Sequence, residues 1–207
     1  MGGQAAHVDE GACEIVSCES EELILVDEQD REVGYSTKAG CHDRDGLLHR
    51  AFSVFVFNRE GEVLLQQRAA EKRLWPLYWS NSCCSHPRRG EALEEAVRRR
   101  LAQELRIGCS LEYLYKFQYH ARYGAEGSEH ELCSVFAGYS DDVVRANGTE
   151  VNACRYIAPE ALDRELEAFP DLFTPWFKLE WPRVRAALAG APLDRQTVNG
   201  APREMGG

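Results

Sequence analysis

Between Glu91 and Leu105 the sequence sets Leu93, Val97, Leu101 and Leu105 four apart, with Ala96 and Ala102 beside them in an otherwise charged segment. That spacing draws one apolar stripe along a helix, and such a stripe needs another element to cover it. Glu91, Glu94 and Glu95 suit the positive end of the helix dipole, and Pro87 and Gly90 lie just outside its start. The flanking sequence supplies strands. Ala51 to Phe57 is rich in β-branched and aromatic residues, Asn58 to Gly61 turns, and Glu62 to Gln67 returns as a hairpin partner. A first hairpin is expected from the apolar run Glu22 to Asp27 and the turn residues that follow as far as Gly34. Further strands are expected at Leu111 to Tyr119, Glu129 to Tyr139 and, more weakly, Val151 to Ile157. Pro159 opens a helix to about Ala168, and Pro175 opens another to about Leu188 in which Pro182 introduces a kink. The element pattern is that of an α/β chain.

With 207 residues the chain is long enough for one well-buried domain and short for two. The expectation is a single domain over 1–207 with its core at about 23–188. Residues 1–20 read as a loose extension, and 190–207 as a tail with little to bury. A net charge of −10 argues against a nucleic-acid binder. Positive charge nevertheless clusters at Arg68 to Arg73, at Arg88 and Arg89, and at Arg98 to Arg100, as a small anionic ligand would require. The eight cysteines accompany neither a signal-peptide-like start nor a paired Cys-x-x-Cys spacing, which suits a reduced, cytoplasmic protein. No apolar run approaches the roughly 20 residues of a membrane span.

Chemistry concentrates at Trp79-Ser80-Asn81-Ser82-Cys83-Cys84-Ser85-His86-Pro87. A reactive thiol with a metal ligand two residues on would form an active-site corner; a buried thiol pair beside a turn histidine would look the same. Glu129 and Glu131 share one face of a strand with Cys133, while His130 takes the other. Two neighbouring carboxylates on one face either meet a cation or face solvent on an edge strand. His42 and His49 lie in a loop-like stretch with Gly40 and Gly46, and their spacing fits neither a strand face nor a helix face. If both bind one ion, the loop folds back on itself. Joined to His86 and the two carboxylates, they would make a mixed imidazole–carboxylate site suited to Zn, Mn or Mg. Arg100 and Glu104 stand one helical turn apart, either as an exposed ion pair or as a phosphate contact and a Mg²⁺ ligand. Trp176 is either a core anchor or an indole face for a cation.

The run Asn81-Ser82-Cys83-Cys84-Ser85-His86-Pro87, with Glu129-His130-Glu131-Leu132-Cys133 and Thr174-Pro175-Trp176, closely resembles the type I isopentenyl diphosphate isomerases of the Nudix superfamily. The resemblance covers about Leu23 to Leu188. It implies a Nudix-like α/β/α sandwich with a mixed central sheet. It also implies isomerisation of isopentenyl to dimethylallyl diphosphate by proton addition and removal. Within the Nudix helix motif, Glu91, Arg99 and Glu104 match, whereas Ser85, Arg100, Gln103 and Arg106 stand where the hydrolases carry a glycine, two metal-binding glutamates and a closing glycine. Carried over by match, His42, His49, His86, Glu129 and Glu131 would hold one divalent ion (Mn²⁺, Zn²⁺ or Mg²⁺), and Glu104 the Mg²⁺ that accompanies the diphosphate. Lys38, Arg68, Lys72 and Arg100 match diphosphate-binding positions. Cys84 matches the catalytic thiol, Glu131 with Tyr119 the second acid–base group, and Trp176 the aromatic that shelters the cation. The expected partner is a small diphosphate, with neither nucleic acid nor membrane; the sequence sets no oligomeric state. A Nudix diphosphohydrolase and an inert diphosphate-binding module are the alternatives. The first would retain the full glutamate run, and the second would have lost Cys84 or Glu131.

Overall fold

The computed structural model describes residues 5–6 and 14–190. In chain order the strands are β1 (Ala5–Ala6), β2 (Glu22–Val26), β3 (Glu32–Thr37), β4 (His49–Phe57), β5 (Val63–Arg68), β6 (Trp79–Ser80), β7 (Cys83–Ser85), β8 (Leu111–Tyr123), β9 (Gly127–Tyr139) and β10 (Val151–Ile157). The helices are α1 (Lys38–His42), α2 (Leu93–Glu104), α3 (Pro159–Ala168) and α4 (Pro175–Gly190), with a 3-10 turn at Pro170–Leu172. β4 is the axis. It runs parallel to β9 from His49 opposite Glu131 to Phe57 opposite Tyr139, and antiparallel to β7 at Phe52 to Val54. The sheet is therefore mixed, as expected.

Side chains alternate across β4, so each face of the sheet acquires its own core. Phe52, Val54 and Val56 pack with Leu64 against Ala96, Val97, Leu101 and Leu105 of the α2 segment. On the other face Ala51, Phe55 and Phe57 meet Leu162 of α3 and Phe177, Trp181 and Val184 of α4. Helices cover both faces, which is the α/β/α sandwich.

Several elements depart from expectation for identifiable reasons. The β4–β5 hairpin shares a single register pair, Phe57 with Val63, because the edge of β4 is taken by β7. Ser82 fills the gap: its hydroxyl accepts from Val56 N at 2.8 Å and donates to Leu64 O at 2.7 Å. The stretch expected as loop at Lys38 to His42 is the short helix α1, capped by Thr37, whose Oγ1 accepts from Gly40 N. α2 begins at Leu93, two residues after the expected helix start at Glu91, and has no side-chain cap at Ala92. Glu91 instead accepts from Arg88 N and forms a two-pronged pair with Arg99 at 2.6 and 2.8 Å. β8 runs four residues past Tyr119, because its ladder with β9 continues to Tyr123 opposite Gly127. Glu14 to Ser20, the end of the expected extension, are tied to the body: the Glu14 carbonyl accepts from Asn147 and Thr149, and Val16 is buried. Most of that extension, and the tail beyond Gly190, lie outside the described residues.

Gly127 holds φ at +152°, and a Cβ there would collide with the carbonyl oxygen of His42. Gly34 has a similar φ of +156° with open space around it. Gly127→Ala should therefore lower the melting temperature more than Gly34→Ala and displace the α1 end that carries His42. Thermal melts of both variants, with metal content measured beside them, check this. Equal effects on both quantities would refute it.

Candidate active site and metal centre

Four elements bring five ligand-type side chains together. His42 ends α1, and a turn through Gly46 (φ +71°) returns the chain so that His49 opens β4. Glu129 and Glu131 sit on β9, and His86 follows β7. One ligand atom from each of the five lies within 4.8 Å of all the others. The fold-back that a shared ion demanded of the His42–His49 loop is present.

Hydrogen bonds outside the cluster fix how the imidazoles point. Nδ1 of His42 lies 2.7 Å from Lys38 O and Nδ1 of His49 lies 2.7 Å from Leu47 O. A carbonyl only accepts, so both Nδ1 atoms carry the proton and both Nε2 atoms turn inward. Nε2 of His49 finds no hydrogen-bond partner although it is fully buried. Oε2 of Glu129 lies 2.8 Å from His42 Nε2 but without the direction of a hydrogen bond. Buried polar atoms are seldom orphaned in this way, and a divalent cation at the centre of the cluster satisfies both. The donor set, three imidazole nitrogens and two carboxylates, fits such an ion.

Electrostatics supports the same reading. Burial drives the His49 pKa down to about 4 and that of His86 well below the ordinary value, so both are neutral ligands at pH 7. Burial and then the adjacent Glu129 charge push Glu131 well above the usual carboxylate range. Glu129 is held at about 2 in spite of its burial, chiefly by His42. Two carboxylates this close ionise together only when a cation stands between them.

Lys38, His42, Arg68, Lys72, Cys84, His86, Arg100, Tyr119, Glu129, Glu131 and Trp176 line one cavity, together with Ser17, Glu19, Arg73, Leu74 and Ser85. Tyr119 donates to Glu131 Oε2 at 2.7 Å, and the other oxygen of Glu131 lies 2.9 Å from His86 Nε2. Burial raises the Cys84 thiol to about 12, so it carries its proton. Trp176 donates to Ser80 at 3.0 Å, and Arg68 lies over its ring at 5.3 Å. Arg68 also donates to the carbonyls of Leu74 and Trp75 at 2.9 to 3.2 Å, which folds the 69–78 loop around it. That loop keeps Trp75 and Leu77 at positive φ, a strained state for non-glycine residues. His49 and Glu104 do not line the cavity. His49 lies beneath it in the metal cluster, and Glu104 is buried behind Arg100, so the Arg100–Glu104 pair is not the exposed helix pair that one helical turn alone allowed.

Sequence reasoning missed Glu150 and the segment around Val16. Glu150 is buried against Lys72 and Arg100, and the Val16 carbonyl accepts from Arg100 at 2.9 Å. Neither has a local signal: one stands just before a weak strand and the other lies in a polar extension. Only tertiary contact reveals them.

Comparison with known proteins gives the family. Residues 47–177 match the NUDIX domain, which defines the class. DR0079 from Deinococcus radiodurans superposes with a TM-score of 0.60 over 72% of this chain and 90% of its own, at 24% identity. A MutT protein from Methanosarcina mazei gives 0.56 over 67% and 94%, at 18% identity. At those identities the likeness concerns the fold alone. The isopentenyl-diphosphate Delta-isomerase 1 of Photorhabdus laumondii is 46% identical over 78% of this chain and 93% of its own. The isopentenyl-diphosphate Delta-isomerase of Burkholderia multivorans is 45% identical over 76% and 89%. The chain belongs to the isopentenyl-diphosphate Delta-isomerases of the NUDIX family.

The metal cluster yields a direct test. Divalent metal should raise the melting temperature, because an ion that binds only the folded state stabilises it, by about 2.7 kcal/mol at a hundredfold excess over Kd. His86→Ala and Glu129→Gln should lower bound metal about tenfold or more and remove that rise. Atomic emission and thermal melts read both quantities. Undiminished metal in the folded variants would move the site elsewhere.

Proposed function

We propose that the protein interconverts isopentenyl and dimethylallyl diphosphate, serving isoprenoid biosynthesis. The observation that carries this is the convergence of Cys84, Glu131 with Tyr119, and Trp176 on one cavity that Lys38, Arg68, Lys72 and Arg100 also line. The reaction adds a proton to the terminal alkene carbon and removes one from the carbon on the other side of the cationic centre. It needs two groups that exchange protons and a wall that keeps water out. Cys84 supplies one group, held as a thiol by burial; Glu131, bonded to Tyr119, supplies the other. Trp176 presents π density to the positive charge, with Leu74 and Trp75 closing the apolar side. The basic side chains hold the diphosphate, so that binding remote from the reacting carbons positions them.

His42, His49, His86, Glu129 and Glu131 would hold one divalent ion, Mn²⁺, Zn²⁺ or Mg²⁺; Glu104, which does not line the cavity, would act on the Mg²⁺ that accompanies the diphosphate only through its charge behind Arg100. When bound, the first ion supplies positive charge that lets Glu131 ionise and keeps it oriented. The second neutralises phosphate charge. No helix among the described residues is long and apolar enough to cross a membrane. The free cysteines, with Cys83 and Cys84 adjacent, suit a reducing, cytoplasmic setting. Hydrolysis is the poorer reading, because Arg100 and Gln103 occupy positions where the hydrolases carry metal-binding glutamates.

Incubation with isopentenyl diphosphate and Mg²⁺ in heavy water should give dimethylallyl diphosphate carrying solvent deuterium, with the diphosphate intact. Release of phosphate without a shifted double bond would establish a hydrolase, and bound but unchanged substrate an inert module. Cys84→Ala should lower kcat about 10² to 10⁴-fold, the range of a lost acid–base group, with metal content unchanged. Cys83→Ala, the neighbouring thiol on the α2 side of the sheet, should stay within about threefold of wild type. Equal losses in the two folded variants would place the working thiol wrongly.

A further inference from the structure

Arg100 lines the cavity, yet protein acceptors nearly fill its guanidinium. Nε and Nη2 donate to Glu104 Oε1 at 2.9 and 2.6 Å, Nη2 donates also to Glu150 Oε2 at 3.0 Å, and Nη1 donates to the Val16 carbonyl at 2.9 Å. Of five N–H donors, one on Nη1 is left for a ligand. Lys72 is tied through its ammonium to the same Oε2 of Glu150. Two cations that face the cavity are thus balanced by two carboxylates buried behind them, Glu104 and Glu150, which are 2% and 5% exposed. Burial would raise the Glu150 carboxyl, but Lys72 and then Arg100 hold it below its ordinary value, so it is ionised.

A network of this kind is a poor source of stability, since apolar replacements of buried ion pairs are often neutral or better. Its position gives it another consequence. Charges this deeply buried are weakly screened, so a carboxylate behind Lys72 and Arg100 reduces their pull on an incoming anion. A free diphosphate bears the full reduction. A diphosphate complexed to magnesium, with two of its charges cancelled, bears much less of it and is attracted by the carboxylates through its ion.

We propose that Glu150 is a specificity-determining residue that makes the cavity select the magnesium complex of the diphosphate over the free anion. The selection rests on the diphosphate reading of the cavity and acts through charge, with Lys72 and Arg100 as intermediaries. It differs from a structural role in sign. A carboxylate that only props Lys72 and Arg100 would, on removal, weaken both forms of the ligand. A carboxylate that opposes the free anion would, on removal, strengthen it.

Inorganic pyrophosphate is the probe, titrated calorimetrically with and without Mg²⁺ on protein whose other divalent metal content is measured and equal. Wild type should bind the magnesium form about tenfold or more tightly than the free form. In Glu150→Gln the free form should bind about tenfold more tightly than it does to wild type, bringing the two forms within about threefold. Glu150→Asp should keep the wild-type ratio. Should the glutamine variant fail to fold, Glu150→Ala carries the same expectation. A wild-type ratio in folded Gln or Ala variants, or parallel weakening of both forms, overturns the inference and leaves the isomerase reading standing. Wild type that binds neither form and fails to isomerise removes both.

Discussion

The parallel pairing of β4 with β9 is the constraint on which the site depends. It sets His49 directly opposite Glu131 at the open end of the two strands, and from there the ladder runs unbroken to Phe57 and Tyr139. A slip of one residue would turn Glu129 and Glu131 to the far face and bring His130 inward. Three further contacts inherit this register. Tyr119 faces Glu131 across β8 and β9, Cys84 faces Ser53 across β7 and β4, and α1 packs so that His42 meets Glu129. The apolar side chains that lock the register, Val54, Phe55, Val135 and Phe136, lie in both cores. The same hydrophobic burial that stabilises the sheet thereby aims the charged residues at its end.

Much of this was legible in the sequence, and the failures have physical causes. Strand and helix identity followed from periodicity and side-chain type, and the ends set by proline, at Pro159 and Pro175, coincide with the structure because proline fixes the backbone there. Alternation along β9 correctly put Glu129 and Glu131 on one face. What sequence could not supply was strand partnership. The β4–β5 connection looks like a hairpin locally, yet the place beside β4 goes to β7, which arrives from residues 83–85. Local pattern carries no information about such an insertion, and Ser82, which repairs the gap, looks like one polar residue among several. The five candidate ligands were legible as an inventory of ligand types. That they form one cluster is a tertiary fact.

Arg100 shows how far a motif and its surroundings can diverge. On helical spacing alone it belongs with Glu104 as a surface pair, but α2 turns that side towards the sheet, and both residues are buried. A guanidinium in that position is affordable only because acceptors from three other places reach it: the Glu104 side chain, Glu150 ahead of β10 and the Val16 carbonyl. The arginine joins α2 to two segments distant in sequence. Where a Nudix hydrolase would place another glutamate for metal, this helix carries a positive charge already committed to carboxylates. Under the proposed function, the face of the fold that the hydrolases use to activate water would support the diphosphate end.

Under the proposed function, the cavity suits a thiol. An alkene is a weak base, so its protonation calls for a group that surrenders a proton where water cannot compete. Cys84 lies at the join between the metal cluster and the aromatic wall, flanked by Arg68 and within the field of Glu131. Burial keeps it protonated, so it would enter the proposed reaction as a proton donor. The dryness that raises the thiol also raises Glu131 in the absence of a cation. A divalent ion held by His42, His49, His86 and Glu129 would break that symmetry, favouring the charged form of the carboxyl far more directly than it would affect the thiol. Under the proposed function, two acids raised by one environment would thereby be set apart, one to hold its proton and the other to accept one.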